Sequence, residues 1–124
     1  MTQEVTENYL ECILILNNET STTKSIDIAA RMNVTKPTVS YMMKQFKNKG
    51  LIEIDSSGNI TLTREGRAIA EPIYDRHITI AQMFIHLGID EKTAYRDACR
   101  IEHGLSDKTF EYIKKQFKNE LLSS

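Results

Sequence analysis

"TKPTVSYMMKQFKNKGLIEIDSSGNITLT", residues 35–63, is the stretch on which the fold turns. Thr35 is a good helix N-cap, and Pro37 sits in the first turn, where no intrahelical N–H is needed. Val39, Met42, Met43 and Phe46 recur at helical spacing and predict the buried face. Gly50 stands where such a helix should stop. Leu51, Ile52 and Ile54 then read as a short strand, "SSGN" as a turn, and Ile60 to Leu62 as a second strand. A helix followed at once by a two-stranded hairpin is the second half of a winged helix-turn-helix.

Working outward supplies the first half. Residues 4–17, "EVTENYLECILILN", place Val5, Tyr9, Ile13 and Leu16 in one stripe that Leu10 and Leu14 widen. "NNETSTT" is a polar break. Ser25 is the expected cap of a short helix, "SIDIAARMN", with Ile26, Ala29 and Ala30 inward, and Asn33 and Val34 turn tightly into Thr35. Downstream, Thr63 caps a long helix, "REGRAIAEPIYDRHITIAQMFIHLG", with a bend or broken start expected at Pro72. A fifth helix is expected from Glu91 to His103, capped by Asp90 and stopped by Gly104. Ser106 caps a sixth, with Phe110, Ile113 and Phe117 on one face. The expected fold is mostly α: a winged helix-turn-helix over residues 1–70, followed by an all-helical domain over residues 71–124.

Charge is distributed unevenly. Residues 1–21 carry four Glu and no Lys or Arg, a net of −4. Residues 22–70 carry eight basic and four acidic residues, a net of +4. A basic block on the helix-turn-helix of a nearly neutral chain suggests double-stranded DNA as its partner, although a solvated helix face gives the same charge. The second helix of such a motif enters the major groove by its N-terminal end. Thr35, Lys36, Pro37, Thr38, Ser40 and Tyr41 are therefore the candidate base-edge and phosphate contacts. Lys44 and Lys47, with Arg64 and Arg67 beside the wing, are candidate backbone contacts.

"DACRIEHGLS", residues 97–106, raises a different chemistry. Cys99, Glu102 and His103 are spaced by three and four, within about one helical turn. Thiolate, carboxylate and imidazole are the common metal-ligating side chains. A solvated Glu-His pair beside a packed Cys fits the same spacing. There is no CxxC, and Cys12 and Cys99 are expected as thiols in a cytoplasmic protein. "ILIL" is too short to span a membrane, so no membrane partner is expected. No general acid or substrate pocket is legible, so an enzyme with a small-molecule substrate is not expected.

In order along the chain, "ENYLE", "KPTVSYMMKQFKNKGLI", "LTREGRAIA", "YDRH" and "DACRIEHGLS" resemble the diphtheria toxin repressor family of metal-dependent regulators, most closely its short manganese transport regulator branch. The resemblance implies a homodimeric repressor of metal-uptake genes, activated by one or two divalent ions per subunit, Fe(II) or Mn(II). By position it implies ligands at Asn8 and Glu11 in the first helix, His77 in the long helix, and Cys99, Glu102 and His103 in the fifth. Manganese-type members usually have Asp where this chain has Asn8, and Glu where it has Cys99. Iron-type members usually have Met and Cys at those two positions. The iron-type ancillary site needs a Glu and a His where this chain has Ala81 and Tyr95. The SH3-like domain of longer members is not expected within these 124 residues. Asn8 keeps an alternative open, a metal-independent winged-helix DNA-binding protein with a degenerate metal site. Dimer contacts are expected around Ile80, Met83, Phe84 and Leu87.

Overall fold

The computed structural model describes residues 2–123, with side chains over residues 2–120. The chain divides into two compact units, Met1–Pro72 and Ile73–Ser124.

The first unit contains α1 (Gln3–Glu19), α2 (Ser25–Met32), α3 (Lys36–Asn48), β1 (Ile52–Ile54), β2 (Ile60–Leu62) and the opening turns of α4 (Arg64–His86). Thr2 caps α1, its hydroxyl accepting from the Val5 amide at 3.2 Å, a contact worth about 1 kcal/mol. Tyr9, Leu10, Ile13, Leu14 and Leu16 bury the expected stripe, whereas Val5, in the first turn, stays exposed. Helix α2 packs on both α1 and α3, and β2 packs on α1. The inward face of α3 is Val39, Met42, Met43 and Phe46, with the Phe46 ring centroid 5.9 Å from that of Tyr9.

Two details of α2 differ from expectation. Its N-cap is Lys24 rather than Ser25, and the Lys24 amide is satisfied by the Asp27 carboxylate at 2.8 Å. Its buried side chains are Ile28 and Ala29, while Ile26 is 58 % exposed and Ala30 is exposed. Eight residues make barely two turns, so the position of α1 and α3 sets which side is covered more than the sequence period does. Asn33 then takes the left-handed conformation (φ 55°) that ends α2, a region Asn tolerates.

The hairpin is antiparallel, with Ile52 opposite Leu62 and Ile54 opposite Ile60. Ile52, Ile60 and Leu62 face the core. At its tip the Asp55 carboxylate accepts from the Ser57 amide and hydroxyl and the Asn59 amide, all within 2.9 Å. Those donors hold its pKa below the ordinary carboxylate value. Gly58 supplies the positive φ (88°) that this turn requires. Asn17 ties α1 to the wing: it donates to Thr23 Oγ1 and Ile60 O, each at 2.9 Å, and accepts from the Leu62 amide.

Thr63 caps α4, accepting from the Gly66 amide at 3.1 Å. The helix continues through Pro72 without the expected break, and the boundary between the units falls at that residue. The second unit comprises the remainder of α4 with α5 (Glu91–Ile101) and α6 (Asp107–Ser123). Asp90 caps α5 through the Thr93 amide, and Ser106 caps α6 through the Thr109 amide. Ile80, Ala81, Ala98 and Phe110 form the core, with Phe84, Tyr95 and Leu105 packed against it. Helix α5 is two residues shorter than expected. Glu102 is its C-cap, and residues 102–104 form a turn. Of the residues expected around the dimer contacts, Ile80 is buried inside its own unit, whereas Leu87 is 71 % exposed.

Candidate nucleic-acid interface and metal centre

Helix α3 presents a polar face to solvent. Thr35, Lys36, Pro37, Thr38, Ser40, Tyr41, Lys44 and Lys47 are all exposed, and so are Arg64 and Arg67. Tyr41, a large aromatic, is 62 % exposed. The Thr35 and Thr38 hydroxyls lie 2.8 Å apart at the first turn, where the helix N-terminus carries partial positive charge. The composition of this face, hydroxyls at the entry end and lysines one and two turns on, suits phosphate and base-edge contact.

In the second unit, His77 on α4 meets Glu102 at the end of α5. The His77 Nδ1 to Glu102 Oε2 distance is 2.9 Å, and His103 Nε2 lies 3.2 Å from Glu102 Oε1. Glu102 is wholly buried and the His103 side chain is 6 % exposed. Tyr95 backs the His77 ring at a centroid distance of 5.5 Å, and its hydroxyl accepts from Gln82. Tyr95 and Ala81, the two positions of the iron-type ancillary site, are here a ring against His77 and a core residue. Cys99 is exposed on α5, one turn before Glu102.

The residues expected from the first helix belong to the first unit. Glu11 on α1 is buried, and Asn8, one turn earlier, is half-buried. Cys12 is a core residue. Burial pushes its thiol up to about 11, which makes it a poor thiolate donor.

The groups at Glu102 fit a divalent cation. Its Oε1 is fully buried and makes no hydrogen bond although His103 Nε2 lies 3.2 Å away, and a buried oxygen short of a hydrogen bond costs about 1–3 kcal/mol. A carboxylate beside two imidazoles is a donor set for first-row transition metals, and a cation there would satisfy the orphaned oxygen.

Arg76 was not singled out in the sequence. It lies next to His77 yet is only 8 % exposed, with its guanidinium donating to Glu102 O, Leu105 O and Asp107 Oδ1. Arginine is normally a surface residue, so periodicity gave no signal for it.

Comparison with known proteins places these two units. Residues 1–58 match the family model for the iron-dependent repressor N-terminal DNA-binding domain. Residues 63–119 match that for the iron-dependent repressor metal-binding and dimerisation domain. The chain belongs to the iron-dependent repressor family. Among its relatives, the transcriptional regulator MntR of Escherichia coli is 34 % identical over 112 residues, covering 90 % of this chain and 72 % of that protein. An uncharacterised helix-turn-helix transcriptional regulator of Methanocaldococcus jannaschii is 35 % identical over 126 residues, covering 98 % and 100 %. The solved structure of the metal-dependent transcriptional regulator MtsR superposes with a TM-score of 0.77 at 26 % identity, covering 91 % of this chain and 53 % of that one. The chain spans about half the length of several solved structures that it matches. The family is one of transcriptional regulators rather than enzymes. Among the described residues, no helix is long and apolar enough to cross a membrane.

Proposed function

We propose that this iron-dependent repressor family member is a cytoplasmic, homodimeric transcriptional repressor, activated by Fe(II) or Mn(II) on operators of metal-uptake genes. The observation that carries the reading is the buried Glu102 carboxylate between His77 and His103, with one oxygen lacking a hydrogen bond. It lies within the span matched by the metal-binding and dimerisation domain. The exposed polar face of α3, within the matched DNA-binding domain, supports the DNA partner. The domain division is read as residues 1–70 for DNA and 71–124 for metal and dimerisation.

The ligand set proposed is His77, Glu102 and His103, joined by Cys99 from α5 and by Glu11 and Asn8 from α1. A divalent ion would supply the charge that lets these anionic groups share one site. Tying α1, in the DNA-binding half, to α5, in the dimer half, fixes the two recognition helices of a dimer. Two major grooves are gripped together only at a separation of about 34 Å. The bound form is favoured only to the extent that metal binds that arrangement better than others.

The deciding experiment is selection of bound duplexes from a random-sequence pool, followed by titration with no metal and with Mn(II), Fe(II) under anaerobic conditions, Co(II) and Zn(II). Affinity should rise on adding metal; equal affinity in a chelator and in metal overturns the reading. In the same assay, Lys36→Ala and Lys44→Ala should weaken binding to every sequence. Each should flatten the salt dependence by about one unit if it meets a phosphate. Two unchanged slopes would remove α3 from the interface.

Cys99 sets a further expectation. A thiolate ligand is softer than the carboxylate of manganese-type members and favours Fe(II), Co(II) or Zn(II). Co(II) should produce a near-ultraviolet thiolate charge-transfer band that Cys99→Ala removes. If Co(II) binds without that band, Cys99 is no ligand and the neighbouring groups must carry the ion alone.

A further inference from the structure

Arg76 is an expensive residue to bury. A guanidinium taken out of water costs several kcal/mol unless its donors are matched, and even a matched buried charge adds little net stability, roughly zero against an apolar substitute. A residue so costly to bury calls for another role, and its three acceptors suggest one. Nη1 donates to Glu102 O at 3.1 Å and to Leu105 O at 2.6 Å, and Nη2 donates to the Asp107 carboxylate. All three acceptors lie on the link from the end of α5 to the start of α6. The Glu102 carbonyl, at the C-cap of α5, is of the kind a helix C-terminus leaves unsatisfied, and the Leu105 carbonyl lies just ahead of α6. The guanidinium also lies 5.3 Å from the centroid of Phe110, a core residue of α6.

The consequence concerns Glu102. Its side chain meets His77, and its own carbonyl is held by Arg76, the preceding residue of α4. Backbone and carboxylate of one residue are thus both referenced to two adjacent positions of the long helix. Helix α5 ends at Ile101, and past Glu102 the turn keeps one backbone tie to it, the Gly104 amide donating to the Ile101 carbonyl at 3.1 Å, so Arg76 adds the hold from the long helix. A lysine could not replace this grip, because a single ammonium lacks the planar fork that reaches three acceptors.

We propose that Arg76 is the positioning residue of the metal centre: it presets the Glu102–His103 turn so that the Glu102 carboxylate faces His77 before any ion arrives. This rests on the metal-centre reading above. A preset turn lowers the ordering cost of binding, and outer partners of this kind change metal affinity by about 10–100-fold.

The test uses the full chain, cobalt chloride as the probe, and two readouts. One is Co(II) affinity from absorption titration. The other is the imidazole nitrogen chemical shift of His77 in metal-free protein, which reports its hydrogen bond to Glu102. Arg76→Lys should weaken Co(II) binding by about 10–100-fold and move the His77 resonance away from its hydrogen-bonded position, with the far-ultraviolet circular dichroism retained. Asp107→Ala, which removes one acceptor and leaves both carbonyls, should shift both readouts in the same direction by less. A lower melting temperature with both readouts at wild-type values would overturn the proposal and leave Arg76 a structural residue only. Should Arg76→Lys fail to fold, unchanged readouts in Asp107→Ala overturn it instead. Should wild type bind Co(II) no better than His77→Ala, the metal-centre reading has failed, and the metal-free His77 resonance alone decides whether Arg76 positions the turn.

Discussion

Replacing Glu102 by Gln is expected to abolish metal-stimulated DNA binding while leaving the metal-free protein at least as stable as wild type. The two effects have opposite signs because one carboxylate causes both. In the metal-free chain Glu102 is wholly buried, and its Oε1 makes no hydrogen bond. Burying a carboxyl group with one oxygen short of a hydrogen bond is unfavourable, and an amide of the same shape relieves about 1 kcal/mol of that cost. The Gln carbonyl can still accept from His77, which keeps the turn in place. Toward a divalent ion the amide oxygen is neutral and a weaker donor. Outer partners alone alter metal affinity by about 10–100-fold, so loss of a direct ligand should exceed about 100-fold. Fluorescence anisotropy with a selected duplex, titrated with Mn(II), reads the first effect, and thermal unfolding in chelator reads the second. A wild-type Mn(II) midpoint in Glu102→Gln would remove that residue from the centre.

The second large effect lies at Gly66, in the first unit. A Cβ built there overlaps the carbonyl oxygen of Leu51 and comes within 3.2 Å of a Leu62 methyl. The Leu51 carbonyl is fixed backbone that also accepts from the Thr63 amide at 3.1 Å. It cannot swing aside as a side chain would. Gly66→Ala should therefore destabilise by about 3 kcal/mol, the upper end of ordinary overpacking costs, in spite of Ala's better helix propensity of about 1 kcal/mol. For a chain of this length that is a fall of roughly 10 °C in melting temperature. Arg67→Ala, on the exposed side of the same turn, should move it by less than about 2 °C. A Gly66→Ala melting temperature within 2 °C of wild type, by calorimetry, would show that α4 does not approach Leu51 so closely.

The metal site was less legible than the fold. Spacing placed Cys99, Glu102 and His103 on one turn, but burial separates them, for Glu102 is enclosed and Cys99 faces solvent. His77 gave no local signal, being one imidazole in an ordinary helix. Only the resemblance of the whole chain joined it to Glu102, and the 2.9 Å contact now does so by geometry. Arg76 gave none, because nothing in a sequence distinguishes an arginine that will be buried from one that will not.

What the sequence determined by itself was local. The α3 face of Val39, Met42, Met43 and Phe46, the Thr35 and Asp90 caps and the Ile60–Leu62 strand all follow from periods and capping chemistry, which act over a few residues. What tertiary structure decided was which apolar residues would be covered and which polar ones would be enclosed. Ile26 and Ile80 had equal claims to a core; Ile80 gained one because Ala98 and Phe110 close over it, and Ile26 lost one because α2 turns Ile28 inward instead. Glu102 and Arg76 are buried because helices distant in sequence meet there, and the free energy of that meeting is a property of the packed neighbours rather than of either residue's own segment.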